Sequence, residues 1–288
     1  MEITPWINDE NRIIYIIKGI HNYVAKIFYT LPYSLEEEKE ATIDSKYIRN
    51  LQNIQEIEVY KDMKDKDIVD CVYVNSFVNK SLIFFPVEDK IITIDFSNWA
   101  KNFDLKGPFS IIVTRKHKGF ITLKNAIEKE KINTCQIQIY FFKIMKKILY
   151  LNRKYNFVHG DLLSQNVLIS SKNYNIKLFD FDLSTIGNKI SMGQTSYFDF
   201  HKIFPLSGRK GFLFDFSRLF LSILYYYSKS FFTKNTIFLN NLVDLYNIYE
   251  DCYIESYNNA KLFDDWVTEN GGVDNLYENV IKFINTNT

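Results

Sequence analysis

Three polar residues stand at fixed spacing around two apolar runs in the middle of the chain. Asp161 ends the segment 158–161, Asn166 directly precedes one apolar run, and Asp180 directly follows the next. We interpret the runs as short strands joined by a turn, so that carboxylates and one amide collect at the strand ends. Mg²⁺ takes oxygen ligands, commonly one or two carboxylates together with substrate phosphates. The spacing therefore predicts a magnesium site for a phosphorylated ligand.

This stretch resembles the catalytic core of the protein-kinase-like superfamily. The H-x-D-x-x-x-x-N loop is matched by His159, Asp161 and Asn166, and the D-F-G motif by residues 180–182, which read D-F-D. The resemblance implies that Asp161 orients the acceptor hydroxyl and accepts its proton. It also implies that Asn166 and Asp180 hold Mg²⁺, or alternatively Mn²⁺, on the phosphates of ATP, while His159 is a structural support.

Lys26 is the predicted contact to the other phosphates of ATP. It lies in an apolar run at 23–29, interpreted as a strand that follows a first strand at 12–17. Its V-A-K-I setting resembles the V-A-x-K strand of kinases, whose lysine holds the α- and β-phosphates. Gly19, in the turn at 18–22, is the sole glycine available for the glycine-rich loop over the phosphates. The alternative is a solvated lysine on an edge strand.

A helix is predicted over 35–51, where Ser34 and Glu37 form a capping box. Acidic residues fill its first turns, which suits the helix dipole. In kinases a helix after the lysine strand supplies a glutamate that pairs with the lysine. We predict Glu40 as the partner that fixes Lys26 over the phosphates.

Further strands complete a small antiparallel sheet in this half of the chain. They are predicted at 68–78, 81–87, 90–96 and 109–114. Thr114 ends the last strand and leads into the polar segment 115–119, the hinge that the resemblance implies. ATP is therefore expected near Lys26, Thr114 and Asp180.

The second half of the chain is predicted to be mostly helical. Residues 133–154 carry an apolar stripe at helical spacing, and Asn133 can cap this helix. A second helix, at 213–227, resembles the buried central helix of the large kinase lobe. That resemblance implies that Asp215 binds the backbone of the catalytic loop. Further helices are predicted at 238–249, 260–268 and 273–284.

The predicted fold class is α+β, with the two lobes of a protein-kinase-like fold in one kinase domain. The smaller lobe, an antiparallel sheet with one main helix, is predicted over residues 1–116. The larger and mostly helical lobe is predicted over residues 117–288. The resemblance covers nearly the whole chain and is strongest from 133 to 182.

Bulk composition excludes several classes of protein. The 288 residues are 47% hydrophobic and 24% charged, and the net charge of +1 offers no argument for binding nucleic acid. The odd number of distant cysteines, Cys71, Cys135 and Cys252, suits a reducing compartment and shows no zinc spacing. The most apolar later stretch, 216–227, contains Arg218 and is too short to span a bilayer. We expect a cytoplasmic protein without a signal peptide, in host cytoplasm or virion if it is viral.

Departures from the kinase pattern leave the acceptor open. Gly160 replaces the usual arginine, Leu163 stands where serine/threonine kinases usually carry lysine, and no A-P-E motif is visible. Asp182 replaces the glycine of D-F-G.

Three functions are therefore weighed. The favoured one is a divergent serine/threonine protein kinase that resembles the compact kinases of large DNA viruses and intracellular parasites. Its partners would be ATP and a protein with a Ser or Thr hydroxyl. The alternatives are a small-molecule kinase of the aminoglycoside or choline kinase type, and a nucleotide-binding pseudokinase scaffold. Arg209 and Lys210 give a weak indication of a charged substrate.

Overall fold

The computed structural model describes residues 2–8, 12–29, 45–78, 80–170, 172–187, 206–226, 236–247 and 260–287. The chain divides into two compact units, Met1–Lys118 and Gly119–Thr288. Antiparallel strands dominate the first unit and helices the second, which confirms the predicted α+β class. The division falls within the predicted hinge at 115–119.

The first unit is built on an antiparallel sheet. Its strands are β1 (Glu2–Asn8), β2 (Arg12–Lys18), β3 (Asn22–Tyr29), β4 (Cys71–Val78), β5 (Leu82–Val87), β6 (Lys90–Asp95) and β7 (Phe109–Lys116). Five of them form one sheet in the order β1-β2-β3-β7-β4, and β5 and β6 form a separate hairpin. Side chains alternate across β3, because successive residues of a strand point to opposite faces. Tyr23, Ala25 and Ile27 thus enter the apolar core, while Lys26 points to the other face.

The first strand of the sheet begins earlier than the sequence predicted. The prediction took 12–17 as the first strand, but β1 precedes it and pairs with β2 along its length. Pro5 concealed this strand, since proline is tolerated only at sheet edges and bulges. β1 is such an edge, and its register shifts between Pro5 and Ile7.

The main helix of the first unit, α1, spans Ser45–Asp62. The prediction of a helix over 35–51 was wrong in ending it at Leu51, because the helix continues to Asp62. The predicted beginning lies outside the described residues. Asn53 and Glu56, one turn apart on α1, are both buried on its inner face. A short helix, α2 (Ser97–Asn102), follows the β5–β6 hairpin.

The second unit is mostly helical. Its helices are α3 (Leu123–Glu128), α4 (Thr134–Tyr155), α5 (Gly208–Tyr226), α6 (Ile237–Asn247), α7 (Ala260–Glu269) and α8 (Gly272–Thr286). A small sheet contains β8 (Ile121–Thr122), β9 (Val167–Ser170) and β10 (Asn175–Leu178). The helices predicted in this half are confirmed, except that α5 begins at Gly208 and not at residue 213, and that the predicted ends at residues 227 and 249 lie outside the described residues.

Helix α4 leads the chain into the predicted catalytic loop. Its capping box is complete, because Asn133 accepts from the Gln136 N–H and Gln136 accepts from the Asn133 N–H, both at 3.0 Å. It ends at Tyr155, and the next residue, Asn156, adopts the left-handed conformation and turns the chain sharply. The apolar stripe of α4 packs on α5, where Phe141 contacts Phe216 at a ring distance of 5.6 Å.

Two basic residues at the start of α5 are paired within the second unit. Arg209 donates to Asp274 at 2.9 Å, and Lys210 lies 2.8 Å from Asp264. Both pairs are at the surface, and the charged substrate that Arg209 and Lys210 indicated stays a prediction. Within the described ranges, no helix combines the length and the apolar character that a membrane span requires.

Candidate active site

Lys26 is paired with a buried glutamate in the first unit. Its Nζ lies 2.5 Å from Glu56 Oε2, and only 13% and 3% of the two side chains are exposed. Asn53, on the same face of α1, donates to the Tyr29 carbonyl at 3.2 Å and ties the helix to the end of β3. Because a buried charge must be paired, this geometry accounts for both Lys26 and Glu56 at these positions.

The other residues predicted in the first unit occupy different places. Glu40, the predicted partner of Lys26, lies outside the described residues, and the glutamate that the structure places on Lys26 is Glu56. Gly19 lies in the turn between β2 and β3, not between the first two strands. Its contact with the phosphates stays a prediction. Thr114 lies near the end of β7, paired with Val24 of β3, and is half-buried.

The β9–β10 hairpin brings Asn166 and Asp180 to the same end of the small sheet of the second unit. Val167 and Leu178 are cross-strand partners, and the Phe179 N–H donates to the Asn166 carbonyl at 3.3 Å. Asn166, which directly precedes β9, therefore lies opposite Phe179, the residue before Asp180. Antiparallel register alone thus brings Asn166 and Asp180 to the same end of the hairpin.

Asp161 is held by two side chains, one on each carboxylate oxygen. The Asn166 amide nitrogen donates to Asp161 Oδ2 at 2.9 Å and to the Asp161 carbonyl at 2.9 Å. The Arg218 guanidinium of α5 donates to Asp161 Oδ1 in a short contact. The carboxylate is thus oriented by a residue of its own loop and by a residue of a distant helix.

The backbone of the same loop is anchored by Asp215. Its carboxylate accepts from the N–H groups of His159 and Gly160, both at 2.8 Å, as the sequence predicted. Asp215 is fully buried, and burial raises its pKa to about 7. The two backbone donors and Arg218 act in the opposite direction by favouring the ionised form. Gly160 has a φ of 77°, a backbone region that glycine adopts without strain.

An aromatic cluster supports the loop from behind. The His159 ring lies 5.3 Å from the Phe181 ring and 6.2 Å from the Phe157 ring, and all three side chains are fully buried. Burial lowers the pKa of His159, so the ring is held neutral. This environment agrees with the structural role predicted for His159.

Asp180 adopts an unusual backbone conformation. Its φ is 65°, in the left-handed region that residues other than glycine enter only at an energetic cost. This conformation turns the chain after the end of β10, directly before the buried Phe181. Such strain is concentrated at functional sites in proteins.

The residues at the hairpin end fit a divalent cation. Because the Asn166 amide nitrogen donates to Asp161, its amide oxygen is the atom that can accept a cation. Asp180 adds a carboxylate. One carboxylate and one amide oxygen form the type of partial shell that Mg²⁺ completes with phosphate oxygens and water.

Sequence reasoning missed one charged residue in each unit, Glu56 in the first and Arg218 in the second. Glu56 lies in a region whose mixed polarity gave no helical signal beyond residue 51. Arg218 was noticed only as an interruption of an apolar run. A charged residue within an otherwise buried helix implies a buried partner, and that signal was present in the sequence.

Comparisons with known proteins agree with this geometry. The family described as "Protein tyrosine and serine/threonine kinase" matches residues 42–197. A protein of Mycoplasma genitalium that is named as a candidate serine/threonine-protein kinase is 25% identical to this chain over 122 residues. That match covers 36% of this chain and 32% of the relative, so the chain is aligned with about a third of the relative's length.

Proposed function

The chain belongs to the protein tyrosine and serine/threonine kinase family, and we propose that it transfers the γ-phosphate of ATP to a Ser or Thr hydroxyl of a protein. The observation that carries the proposal is the arrangement of Asp161, Asn166 and Asp180 at one end of the β9–β10 hairpin. Phosphoryl transfer depends on positioning and on neutralising charge, and these three residues suit both tasks.

In this proposal Asp161 acts on the acceptor. Its carboxylate, oriented by Asn166 and Arg218, accepts the hydrogen bond of the substrate hydroxyl and takes its proton as transfer proceeds. The anchored backbone of His159 and Gly160 keeps the loop in place during this step. Asn166 and Asp180 would hold Mg²⁺, which neutralises phosphate charge when it is bound.

Lys26 is assigned to the phosphates of ATP. Its pairing with Glu56 keeps the ammonium group in one place and charged within a largely buried setting. The same kind of lysine–glutamate pair is required for phosphate transfer in protein kinases. The serine/threonine preference rests on the name of the Mycoplasma relative and on the resemblance of the sequence motifs.

The test is transfer of labelled phosphate from ATP by the purified chain. Protein substrates offering Ser/Thr or Tyr hydroxyls are compared with Mg²⁺ or Mn²⁺ present. Asp161→Asn is expected to reduce transfer by about 10²- to 10⁴-fold, because it removes the proton acceptor. Asp274→Asn, whose side chain is 83% exposed in the same unit, is the matched control and retains activity.

The alternatives give different results in the same assay. ATP turnover that labels small hydroxylated molecules and no protein would point to a small-molecule kinase. Absence of turnover, together with a melting temperature that ATP still raises, would point to a pseudokinase. A melting temperature that saturating ATP does not raise would exclude nucleotide binding under those conditions.

A further inference from the structure

Helix α5 presents a row of polar residues to the predicted catalytic loop. Asp215, Arg218 and Ser222 are spaced by three and four residues, so they share one face of the helix. All three are buried. Asp215 accepts from two backbone N–H groups of the loop, Arg218 binds the Asp161 carboxylate, and Ser222 Oγ accepts from the Ser164 N–H at 2.9 Å. One helix face therefore holds the loop at three successive places.

Arg218 is the charged donor of this row. Only 5% of its side chain is exposed, so the guanidinium is directed at the loop and is not available to a substrate in solvent. It also lies over the Phe214 ring at 5.6 Å, which restricts its position further. Burying a guanidinium is costly unless it is paired with an anion. The Asp161 carboxylate, 19% exposed, is the anion that the guanidinium contacts, and the buried Asp215 also interacts electrostatically with Arg218.

The loop itself offers no cation to Asp161. Residues 159–166 read HGDLLSQN and contain no lysine or arginine, and Leu163 has an aliphatic side chain. His159 is held neutral by burial. Within the loop, Asp161 receives only the neutral amide donor of Asn166. The positive charge at this carboxylate is thus supplied from α5.

We propose that Arg218 is a positioning residue for phosphate transfer, and that it acts by holding the Asp161 carboxylate in its productive orientation. This inference rests on the proposed function. With Oδ1 bound by Arg218 and Oδ2 bound by Asn166, the carboxylate has one defined rotamer. The same helix fixes the loop backbone through Asp215, so carboxylate and backbone are held by one rigid element. Misplacing a reacting group by about 1 Å can cost about 100-fold in rate.

The test measures kcat and KM in variants at position 218. Arg218→Met removes the donor and is expected to lower kcat by about 100-fold. The KM for ATP is expected to stay within about twofold, because Arg218 acts through Asp161 and not on the nucleotide. Arg218→Lys, which keeps the charge without the planar fork, is expected to lower kcat by only about tenfold. Arg209→Met is the matched control on the same helix, since Arg209 is half exposed, and it leaves both parameters unchanged.

A double-mutant cycle separates positioning from a general structural role. In an Asp161→Asn background, Arg218→Met is expected to have little further effect on kcat, because the group that it positions is already absent. Independent and multiplicative losses would overturn the inference. A wild-type kcat in Arg218→Lys and in every other folded variant at position 218 would also overturn the inference. If Arg218→Met does not fold, Arg218→Gln takes its place. An inactive wild-type chain would refute the proposed function and the inference together, whereas an active wild type with an equally active Arg218→Met refutes the inference alone.

Discussion

Glu56 shows how burial determines the energetic role of a charged residue in the first unit. Its carboxylate is 3% exposed and contacts the ammonium group of Lys26. A buried pair is weak evidence for stability as a pair, but removing one partner leaves the other charge without compensation. The same reasoning applies to Arg218 and Asp161 in the second unit.

Glu56→Ala is expected to lower the free energy of unfolding by about 3 kcal/mol, because Lys26 would lose its contact with the Glu56 carboxylate in a largely buried setting. Urea unfolding measures this loss. Asp62→Ala, at the exposed end of the same helix, is the control and should change stability by less than about 0.5 kcal/mol. Equal losses in the two variants would contradict a special role for the Lys26–Glu56 pair.

Residues that act through local spacing were predictable, and residues that act through tertiary contact were not. Asp161, Asn166 and Asp180 lie close in sequence around one hairpin, so strand alternation and register suffice to bring them together. Glu56 and Arg218 meet their partners across 30 and 57 positions of the chain. No local periodicity encodes such a meeting, and only the packed structure reveals it.

At the scale of elements, the close approach of α5 to the predicted catalytic loop depends on Gly211. A methyl group added at Gly211 would overlap the side chain of Val158, which directly precedes His159. Val158 is itself fixed by a two-way backbone bridge to Thr185, with N···O distances of 3.0 and 2.9 Å. The helix and the loop are therefore in direct contact at this point, and there is no space for a side chain at position 211.

Gly211→Ala is expected to destabilise the chain by about 1–3 kcal/mol through overpacking. In a helix without this contact, alanine would be more stable than glycine by about 0.5–1 kcal/mol. A loss of stability in Gly211→Ala would therefore indicate overpacking, and a gain would contradict it. Thermal or urea unfolding provides the measurement.

The companion variant Val158→Ala tests the stated cause. Removing the two methyl groups of Val158 makes space, so the cost of Gly211→Ala in that background is expected to fall by at least about 1 kcal/mol. An unchanged cost would show that contact with Val158 is not what requires glycine at position 211.

Helix α1 and strand β1 show where element prediction fails. The prediction ended this helix at Leu51, but α1 contacts β3 through Asn53 and Glu56, beyond that residue, and continues to Asp62. β1 contains a proline and lies at an edge, so neither its composition nor its alternation resembled a strand. The amphipathic helix α4 was predicted closely because its cap and its apolar stripe are local features.

At the scale of the whole molecule, the fold class followed from the sequence because strand and helix patterns are segregated along the chain. The family match, residues 42–197, includes parts of both compact units. The strand order β1-β2-β3-β7-β4 was not predictable, since it depends on a non-local pairing between β3 and β7. Each unit also carries buried titratable groups, and these influence the stability of the chain as a whole.

His159 and Asp215 contribute to stability with opposite dependence on pH. Burial lowers the pKa of His159 from 6.5, so the stability that it contributes is present above pH 6.5 and is lost as the pH falls. Burial raises the pKa of Asp215 from 3.8 to about 7, so its contribution is present below pH 3.8 and is lost as the pH rises towards 7. Just below pH 6.5 the unfolded chain binds a proton at His159, while the folded chain binds one at Asp215. The two contributions therefore largely cancel in this window.

Substituting either residue alone should reveal the pH dependence of stability that the two contributions hide in the wild type. With His159→Phe the folded chain binds the additional proton of Asp215, so stability relative to wild type is expected to fall as the pH rises from about 4.5 to about 6.5. With Asp215→Asn the unfolded chain binds the additional proton of His159, so relative stability is expected to rise over the same range. Each slope can reach about 1.4 kcal/mol per pH unit for one proton, and urea unfolding at several pH values measures it. The exposed control Asp274→Asn should follow the wild type, and parallel curves for all four proteins would show that neither buried group changes its protonation on unfolding.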